Sequence, residues 1–206
     1  MFYTVKIPRL LKIVAPSLIF KIKSSEKILY LSFDDGPLKE TTPHILDILK
    51  KYNAKATFFC LGKNVQKYPD IYKSILDEGH KTGIHGYSHL NGWKTKNNLY
   101  FDDIEKAAGL IDSKLFRPPY GRLKSSQIHY LKNKYKIIMW DVLSGDFDPD
   151  TTTEQCNKNV LNNVTQGSIV VYHDSLKAKE KVLTSLPYIL DVLQKRGFEF
   201  KAIDNI

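Results

Sequence analysis

The sequence predicts one α/β domain built on a parallel β-sheet, and three observations support this prediction. The chain has 206 residues, which fits one domain better than two. Apolar, β-rich runs alternate with helical patterns along the chain, and strands that are separated by helices pair in parallel. The sheet is then either open and doubly wound or a closed or nearly closed barrel.

About seven short apolar runs are predicted to be strands, because each is bounded by turn residues or by the start of a helix. They cover residues 27–33, 56–62, 81–84, 115–117, 136–142, 168–173 and 198–203.

The predicted helices lie between these strands. Thr42-Pro43 opens the first helix, with proline at a favoured first position. Ile45, Ile48 and Leu49 then recur at helical spacing and predict one buried face. Similar patterns predict helices over 69–78, 101–111, around Ile128 and Leu131, through Val160 and Val164 with a capping box at Thr151 and Glu154, and over 182–193.

The composition is typical of a globular protein, with 42% hydrophobic and 26% charged residues. The net charge of +9 is compatible with an acidic wall polymer, a membrane surface or nucleic acid. The lysines are scattered, however, which favours a solvated surface, and no nucleic-acid-binding motif occurs, so we expect no nucleic-acid partner. Cys60 and Cys156 are too few for a disulfide framework.

Residues 1–26 are basic and partly apolar and are predicted to form an N-terminal extension. Lys12, Pro16 and Lys21 interrupt the apolar stretches, so we predict neither a signal peptide nor a membrane span. Two interpretations stay open: an extension packed on the domain surface, which we favour, or a short amphipathic segment on a membrane. The localisation therefore stays open between the cytoplasm and the cell envelope.

Unusual polar residues fall where the predicted strands end. Taken alone, each motif has a plain alternative: FDDGP can be a turn, HGYSH two surface histidines, and VVYHD a strand with a structural histidine. The carboxyl ends of parallel strands share one face of a barrel, however, and active sites are built there. These residues are Asp34, Asp35, His85, His89, Arg117, Trp140, Asp141, His173 and Asp174.

The combination predicts a catalytic metal site. Two histidines and one carboxylate bind a divalent ion and leave positions open for water and substrate. A second carboxylate, an arginine and a third histidine remain, and these are the groups that an amide hydrolase needs.

The motifs LSFDDGP, HGYSH, RPPYG and VVYHD, together with the region of Trp140, resemble the polysaccharide deacetylase family, also called carbohydrate esterase family 4 or the NodB-homology domain. The resemblance covers about residues 28–203. It implies a single-domain distorted (β/α)7 barrel, with residues 27–206 as the catalytic domain.

The resemblance also implies roles for individual residues. Asp34 would be the catalytic base, and Asp35 would bind the metal with His85 and His89. Zinc is the expected ion, with cobalt or nickel as alternatives. Arg117 would pair with Asp34.

The remaining roles concern the substrate and its leaving group. Tyr120 would donate its backbone N–H to the oxyanion, and His173 would be the general acid. Trp140 would wall the acetyl pocket, and we expect Pro118 and Leu143 to contact the substrate as well.

One position departs from the family pattern. Many members carry an aspartate three residues after the tryptophan, and that carboxylate supports the arginine. Here the position is Leu143. On a regular strand Asp141 would lie on the same face as Leu143, so Asp141 is our candidate for the missing support, and Asp146 is the alternative.

The expected partner is an acetylated glycan, either peptidoglycan or another N-acetylglucosamine polymer, with O-acetyl substrates possible within the family, and the protein is expected to be a monomer. Two alternatives stay open. One is an amide hydrolase with a non-sugar substrate on the same scaffold, and the other is an inactive glycan-binding homologue.

Overall fold

The computed structural model describes residues 3–204, apart from the side chains of residues 9 and 12. Residues 1–2 of the predicted extension 1–26 and residues 205–206 of the predicted domain 27–206 therefore lie outside the described residues. Among the described residues, no helix has the length and apolar character that a membrane crossing requires.

The described residues form nine strands of one sheet. Its order is β1-β6-β5-β4-β3-β2-β8-β7, and β9 pairs with β2. Every named strand pair is parallel, which confirms the predicted sheet, and the sheet curls into a half-barrel that matches the distorted (β/α)7 barrel. The strands are β1 Leu18–Ile19, β2 Ile28–Asp34, β3 Ala56–Cys60, β4 Lys81–Ile84, β5 Leu115–Phe116, β6 Lys136–Ile138, β7 Val142–Leu143, β8 Ile169–His173 and β9 Glu199–Phe200.

Helices connect the strands and cover the outer face of the sheet. The helices are α1 Arg9–Val14, α2 Thr42–Lys51, α3 Gly62–Lys67, α4 Pro69–Asp77, α5 Asn97–Ala108, α6 Ser125–Leu131, α7 Thr153–Leu161 and α8 Lys179–Lys195, and a 3₁₀ turn spans Pro119–Gly121. In α2 the predicted positions Ile45 and Leu49 are buried in the core, and Ile48 packs against it partly buried, which confirms the amphipathic pattern.

The two faces of the strands have different neighbours. In β2, Leu31 and Phe33 belong to the main core between sheet and helices. The alternate residues face the barrel interior, where Phe59, Ile138 and Ile169 form a second apolar cluster. This cluster is a floor beneath the polar residues at the strand ends. Removing the Phe59 ring would cost about 3–5 kcal/mol of folding free energy.

The predicted strand 136–142 is in fact two strands, because the backbone changes partners midway. The N–H of Met139 donates to the carbonyl of Ile19 on β1, whereas the N–H of Asp141 donates to that of Ile169 on β8. The chain thus leaves one neighbour and joins another, and the regular alternation of side chains ends there.

Two local predictions need smaller corrections. The predicted capping box began at Thr151, but the N-cap of α7 is Thr152, whose side chain accepts a hydrogen bond from the N–H of Gln155. The run 56–62 was predicted as strand throughout, whereas β3 ends at Cys60 and Gly62 begins the short helix α3.

The N-terminal segment lies between the two halves of the divided strand. Lys6 forms an antiparallel bridge with Val142 on β7, while β1 pairs with β6. The N–H of Ile7 also donates to the carbonyl of Asp141. Residues 5–7 and 18–19 therefore bond to the backbone where β6 and β7 separate.

Candidate active site

A cleft of about 180 Å³ opens at the carboxyl ends of the strands. It brings together nine of the eleven predicted site residues: Asp34, Asp35, His85, His89, Pro118, Tyr120, Trp140, Leu143 and His173. The other two, Arg117 and Asp141, do not line it and are fully buried.

Asp35, His85 and His89 place one potential ligand atom each within 4.8 Å of one another. The Oδ1 atom of Asp35 lies 3.1 Å from Nε2 of His89 and 3.7 Å from Nε2 of His85. Asp35 and His89 both have positive φ, 84° and 65°. Such conformations cost about 1–3 kcal/mol outside glycine and concentrate at functional sites.

The environment of this triad fits a divalent cation. Nδ1 of His85 lies 2.8 Å from the carbonyl oxygen of Arg117 and donates to it, which leaves the lone pair of Nε2 facing Asp35. Burial lowers the pKa of His85 to about 4, so its imidazole is neutral at pH 7. Among the described residues Oδ1 of Asp35 is buried without a hydrogen-bond partner, which is costly unless a cation binds it.

The charge of Asp35 also suits a ligand. Burial by itself would raise its pKa, but the imidazoles of His89, His173 and His85 outweigh burial and hold the pKa below its ordinary value. The carboxylate is therefore ionised at neutral pH. Two imidazoles and one carboxylate are a donor set that zinc, cobalt and nickel accept.

Asp34 forms a buried ion pair with Arg117. The guanidinium donates to Oδ1 of Asp34 at 2.7 Å and to Oγ of Ser32 at 2.8 Å. It also donates to the carbonyls of Ile138 and Met139, at 3.2 and 3.0 Å. Its carbon lies 4.0 Å from the centre of the Phe59 ring, so the apolar floor supports it from below. These contacts hold the Asp34 carboxylate in one orientation at the cleft.

Asp141 does not support Arg117 through a hydrogen bond, and this prediction is corrected. Its Oδ2 instead accepts from Nζ of Lys6 at 2.6 Å and from Oγ of Ser168 at 2.5 Å. The prediction assumed a regular strand from residue 136 to residue 142, and the break between β6 and β7 turns Asp141 toward the N-terminal segment. Ser32 and two backbone carbonyls occupy the donors of Arg117 instead.

The alternative support for Arg117, Asp146, is instead the partner of His173. Its Oδ1 lies 2.8 Å from Nδ1 of His173, and its Oδ2 accepts from the backbone N–H of His173 at 2.7 Å. Ser144 donates a further hydrogen bond to Oδ1 at 3.0 Å. Burial alone would lower the pKa of His173, but the Asp146 carboxylate raises it to about 9. His173 is therefore protonated at neutral pH.

Asp34 and His173 stand side by side at the cleft. They are register partners on the adjacent parallel strands β2 and β8, so their side chains leave the sheet at the same level. Asp174, directly after β8, is bonded to the start of α2, because its Oδ2 accepts from the hydroxyl of Thr42 at 2.7 Å. A Cβ at Gly36 would lie 1.8 Å from the same atom, so only glycine fits there.

An apolar wall closes one side of the cleft. Trp140 packs over Gly121, which has φ of +65° and has no room for a Cβ beside the indole. Tyr120, with φ of 61°, packs its ring edge-on against His89 at 4.5 Å between centroids. Sequence reasoning missed six other lining residues: Tyr3, Gly121, Arg122, Phe147, Val171 and Lys177.

Two of the missed residues had a signal in the sequence. Val171 lies two positions before His173 on the same strand face, so alternation alone places it at the cleft. Phe147 directly follows Asp146. Its ring contacts those of Tyr3 and His173, each at 5.0 Å between centroids. No pattern in the sequence indicated that Tyr3 would reach this wall.

Comparisons with known proteins agree with this geometry. The family model described as polysaccharide deacetylase matches residues 21–137. A peptidoglycan-N-acetylglucosamine deacetylase of Bacillus cereus is 31% identical over 197 residues, which cover 91% of each chain. A second one from the same organism is 35% identical over 184 residues, and the match covers 85% of this chain and 66% of the relative.

Solved structures show the same likeness. The crystal structure of the Bc1960 peptidoglycan N-acetylglucosamine deacetylase superposes with a TM-score of 0.88 at 32% identity, over 96% of this chain and 95% of that one. The family match includes Asp34, Asp35, His85, His89 and Arg117, the residues that build the triad and the buried ion pair. On these grounds the chain belongs to the polysaccharide deacetylase family.

Proposed function

We propose that this protein is a metal-dependent deacetylase that hydrolyses the N-acetyl group of N-acetylglucosamine in peptidoglycan. One observation carries the proposal: an Asp–His–His triad shares a cleft with a carboxylate paired to a cation, Asp34, and with an imidazole paired to an anion, His173. The substrate is inferred from the names of the relatives, which are peptidoglycan-N-acetylglucosamine deacetylases.

Asp35, His85 and His89 would hold the metal, and zinc is the proposed ion, with cobalt or nickel as alternatives. When bound, such an ion supplies a Lewis acid that polarises a carbonyl and lowers the pKa of water. A hydrogen bond from His85 supports this role. Its Nδ1 donates to the carbonyl oxygen of Arg117, which orients the ring with Nε2 toward the metal position.

Asp34 is the proposed general base. It lines the cleft, and its ion pair with Arg117 orients it to accept a proton from water at the acetyl carbon. His173 is the proposed general acid, because Asp146 keeps it protonated at neutral pH. It gives its proton to the nitrogen as the C–N bond breaks. The products are acetate and a free amine.

The remaining groups bind and stabilise the substrate. The backbone N–H of Tyr120 is the proposed donor to the oxyanion, and one such donor contributes about 3–4 kcal/mol to the transition state. Trp140, Leu143 and Val171 form the apolar lining that would receive the acetyl methyl group. Pro118 lies beside them.

The decisive experiment measures acetate release from peptidoglycan strands, N-acetylglucosamine oligomers and O-acetylated xylan. Each substrate is tested with the protein as purified, after chelation, and after addition of zinc, cobalt or nickel. We expect release from the N-acetylated glycans that chelation abolishes and metal restores. Release that survives complete chelation would contradict metal dependence, and inactivity with every metal would contradict the enzyme assignment.

The ligand assignment has a separate test. His85→Ala should lose the bound metal in atomic absorption, because it removes one of three ligands. His129→Ala is the matched control, since His129 is exposed on α6 away from the cleft. Unchanged metal content in His85→Ala would refute the assignment.

A second candidate function is glycan binding without catalysis, and Leu143 is the observation that favours it. Many family members have a carboxylate at this position. The same experiment decides, because an inactive homologue would bind peptidoglycan in a pull-down assay and release no acetate with any metal. Acetate release from small cyclic amides alone would favour a non-sugar substrate.

The proposal takes residues 27–206 as the catalytic domain of a monomer that binds acetylated glycan and not nucleic acid. Light scattering after size exclusion measures the oligomeric state. Elution from heparin at physiological salt measures affinity for polyanions, and strong retention would contradict the expected partner.

A further inference from the structure

The first helix of the chain exposes an unusual amount of apolar surface. In α1, Leu10, Leu11, Ile13 and Val14 are 69%, 50%, 73% and 65% exposed. The other large apolar residues that are exposed among the described residues lie scattered along the chain: Leu76, Trp93, Leu99, Leu110, Tyr120, Tyr130, Leu176 and Tyr188. Single exposed residues are ordinary, whereas a contiguous apolar patch marks an interaction surface.

The chain on both sides of α1 is held firmly. Before the helix, the N–H of Ile7 donates to the carbonyl of Asp141, and after it Leu18–Ile19 pairs with β6. Ile7 is buried with Phe20 and Met139 in a small apolar cluster. The helix thus lies between two segments that are hydrogen-bonded to the sheet. Its apolar side chains face solvent, although Ile7 and Phe20 on either side of it are buried.

The charge of the segment indicates what would cover this patch. Between residues 3 and 25 there are five basic residues and no acidic one, and the first acidic residue is Glu26. The basic residues are Lys6, Arg9, Lys12, Lys21 and Lys23. Exposed apolar side chains among basic residues are typical of segments that lie in the interface of an anionic bilayer.

We propose that α1 docks on the surface of a lipid bilayer that contains anionic lipids, inserting Leu10, Leu11, Ile13 and Val14 among the headgroups. A second copy of the chain fits less well, because two segments with basic and no acidic residues would repel each other across a shared interface. The apolar cluster that anchors the chain beside α1 lies next to the cleft, since Trp140 packs against the cluster of Ile7 and also lines the cleft.

The test is sedimentation of the full chain with vesicles of phosphatidylcholine, with and without phosphatidylglycerol. We expect the protein to pellet with the anionic vesicles and to be released by about 0.5 M salt, which screens the charges. The double variant Leu10→Glu/Ile13→Glu should bind about tenfold more weakly or worse, because it removes apolar area and adds negative charge.

A matched control separates docking from general surface hydrophobicity. Leu99→Glu/Leu110→Glu changes two other exposed leucines, 53% and 40% exposed, and should bind vesicles like the wild type. Equal thermal unfolding midpoints would show that both variants fold. The proposal is overturned if the wild type stays in the supernatant with anionic vesicles, or if Leu10→Glu/Ile13→Glu still pellets. A dimer that the same variant dissociates would assign the patch to a second copy. None of these outcomes depends on deacetylase activity.

Discussion

The two sides of the cleft hold opposite charges by the same means. On one side Asp34 is paired with the cation Arg117, and on the other His173 is paired with the anion Asp146. Both partners, Arg117 and Asp146, are 0% exposed, while the groups that they hold line the cleft. Each buried partner thus orients the group at the cleft, and Asp146 also raises the pKa of His173.

The comparison shows why two neighbouring groups can have opposite roles. Asp34 and His173 are register partners on β2 and β8 and line the same cleft. A buried cation favours a carboxylate, whereas a buried anion favours an imidazolium. The proposed base and the proposed acid therefore differ in the charge of the buried residue that each one contacts.

The largest expected effect is that of Asp34→Asn. The amide keeps the shape but cannot accept a proton, so kcat/KM for acetate release should fall by about 10³- to 10⁴-fold. Metal content should change little, whereas the thermal unfolding midpoint should fall, because Arg117 stays buried without its carboxylate partner. Full activity in this variant would show that the base lies elsewhere.

Arg117→Met removes the buried cation that pairs with Asp34. It leaves Asp34 as a buried charge without its partner, so the free energy of unfolding should fall by about 3–5 kcal/mol in urea titration. Activity should fall by about 10²-fold or more. Arg117→Lys restores the charge but not the planar fork, and we expect it to recover part of both. Equal stability of Arg117→Met and the wild type would contradict the pairing.

Asp146→Asn tests the acid side. The proposed general acid His173 must be protonated, so we expect activity to be lost as pH rises through its pKa, which Asp146 raises to about 9. Without the carboxylate that pKa falls, and the alkaline limb of kcat/KM against pH should move to lower pH. At neutral pH we expect a loss of about 10- to 100-fold. An alkaline limb that stays in place would separate Asp146 from the acid.

Asp141→Asn should have the smallest effect and is the matched control for Asp146→Asn. Both aspartates are buried and lie five positions apart, but Asp141 faces Lys6 and Ser168 rather than the cleft. We expect kcat/KM to stay within about threefold of the wild type, an effect in the range of ordinary packing changes. A loss as large as that of Asp146→Asn would restore the original prediction that Asp141 supports the catalytic arginine.

The sequence by itself determined the fold class and the set of chemical groups at the cleft. Strands between helices pair in parallel, and the carboxyl ends of parallel strands meet on one face, so Asp34, Asp35, His85 and His173 had to converge once the strands were located. Local order in the chain is enough for that inference.

Only the tertiary structure decided which buried residue forms an ion pair with Asp34 and which with His173. The division of residues 136–142 into β6 and β7, with residues 5–7 and 18–19 bonded at the break, turns Asp141 toward Lys6 and leaves Asp146 for His173. These contacts join residues far apart in the chain. Their geometry depends on the residue at which a strand changes its hydrogen-bonding partner, and the alternation of apolar and polar residues does not predict that residue.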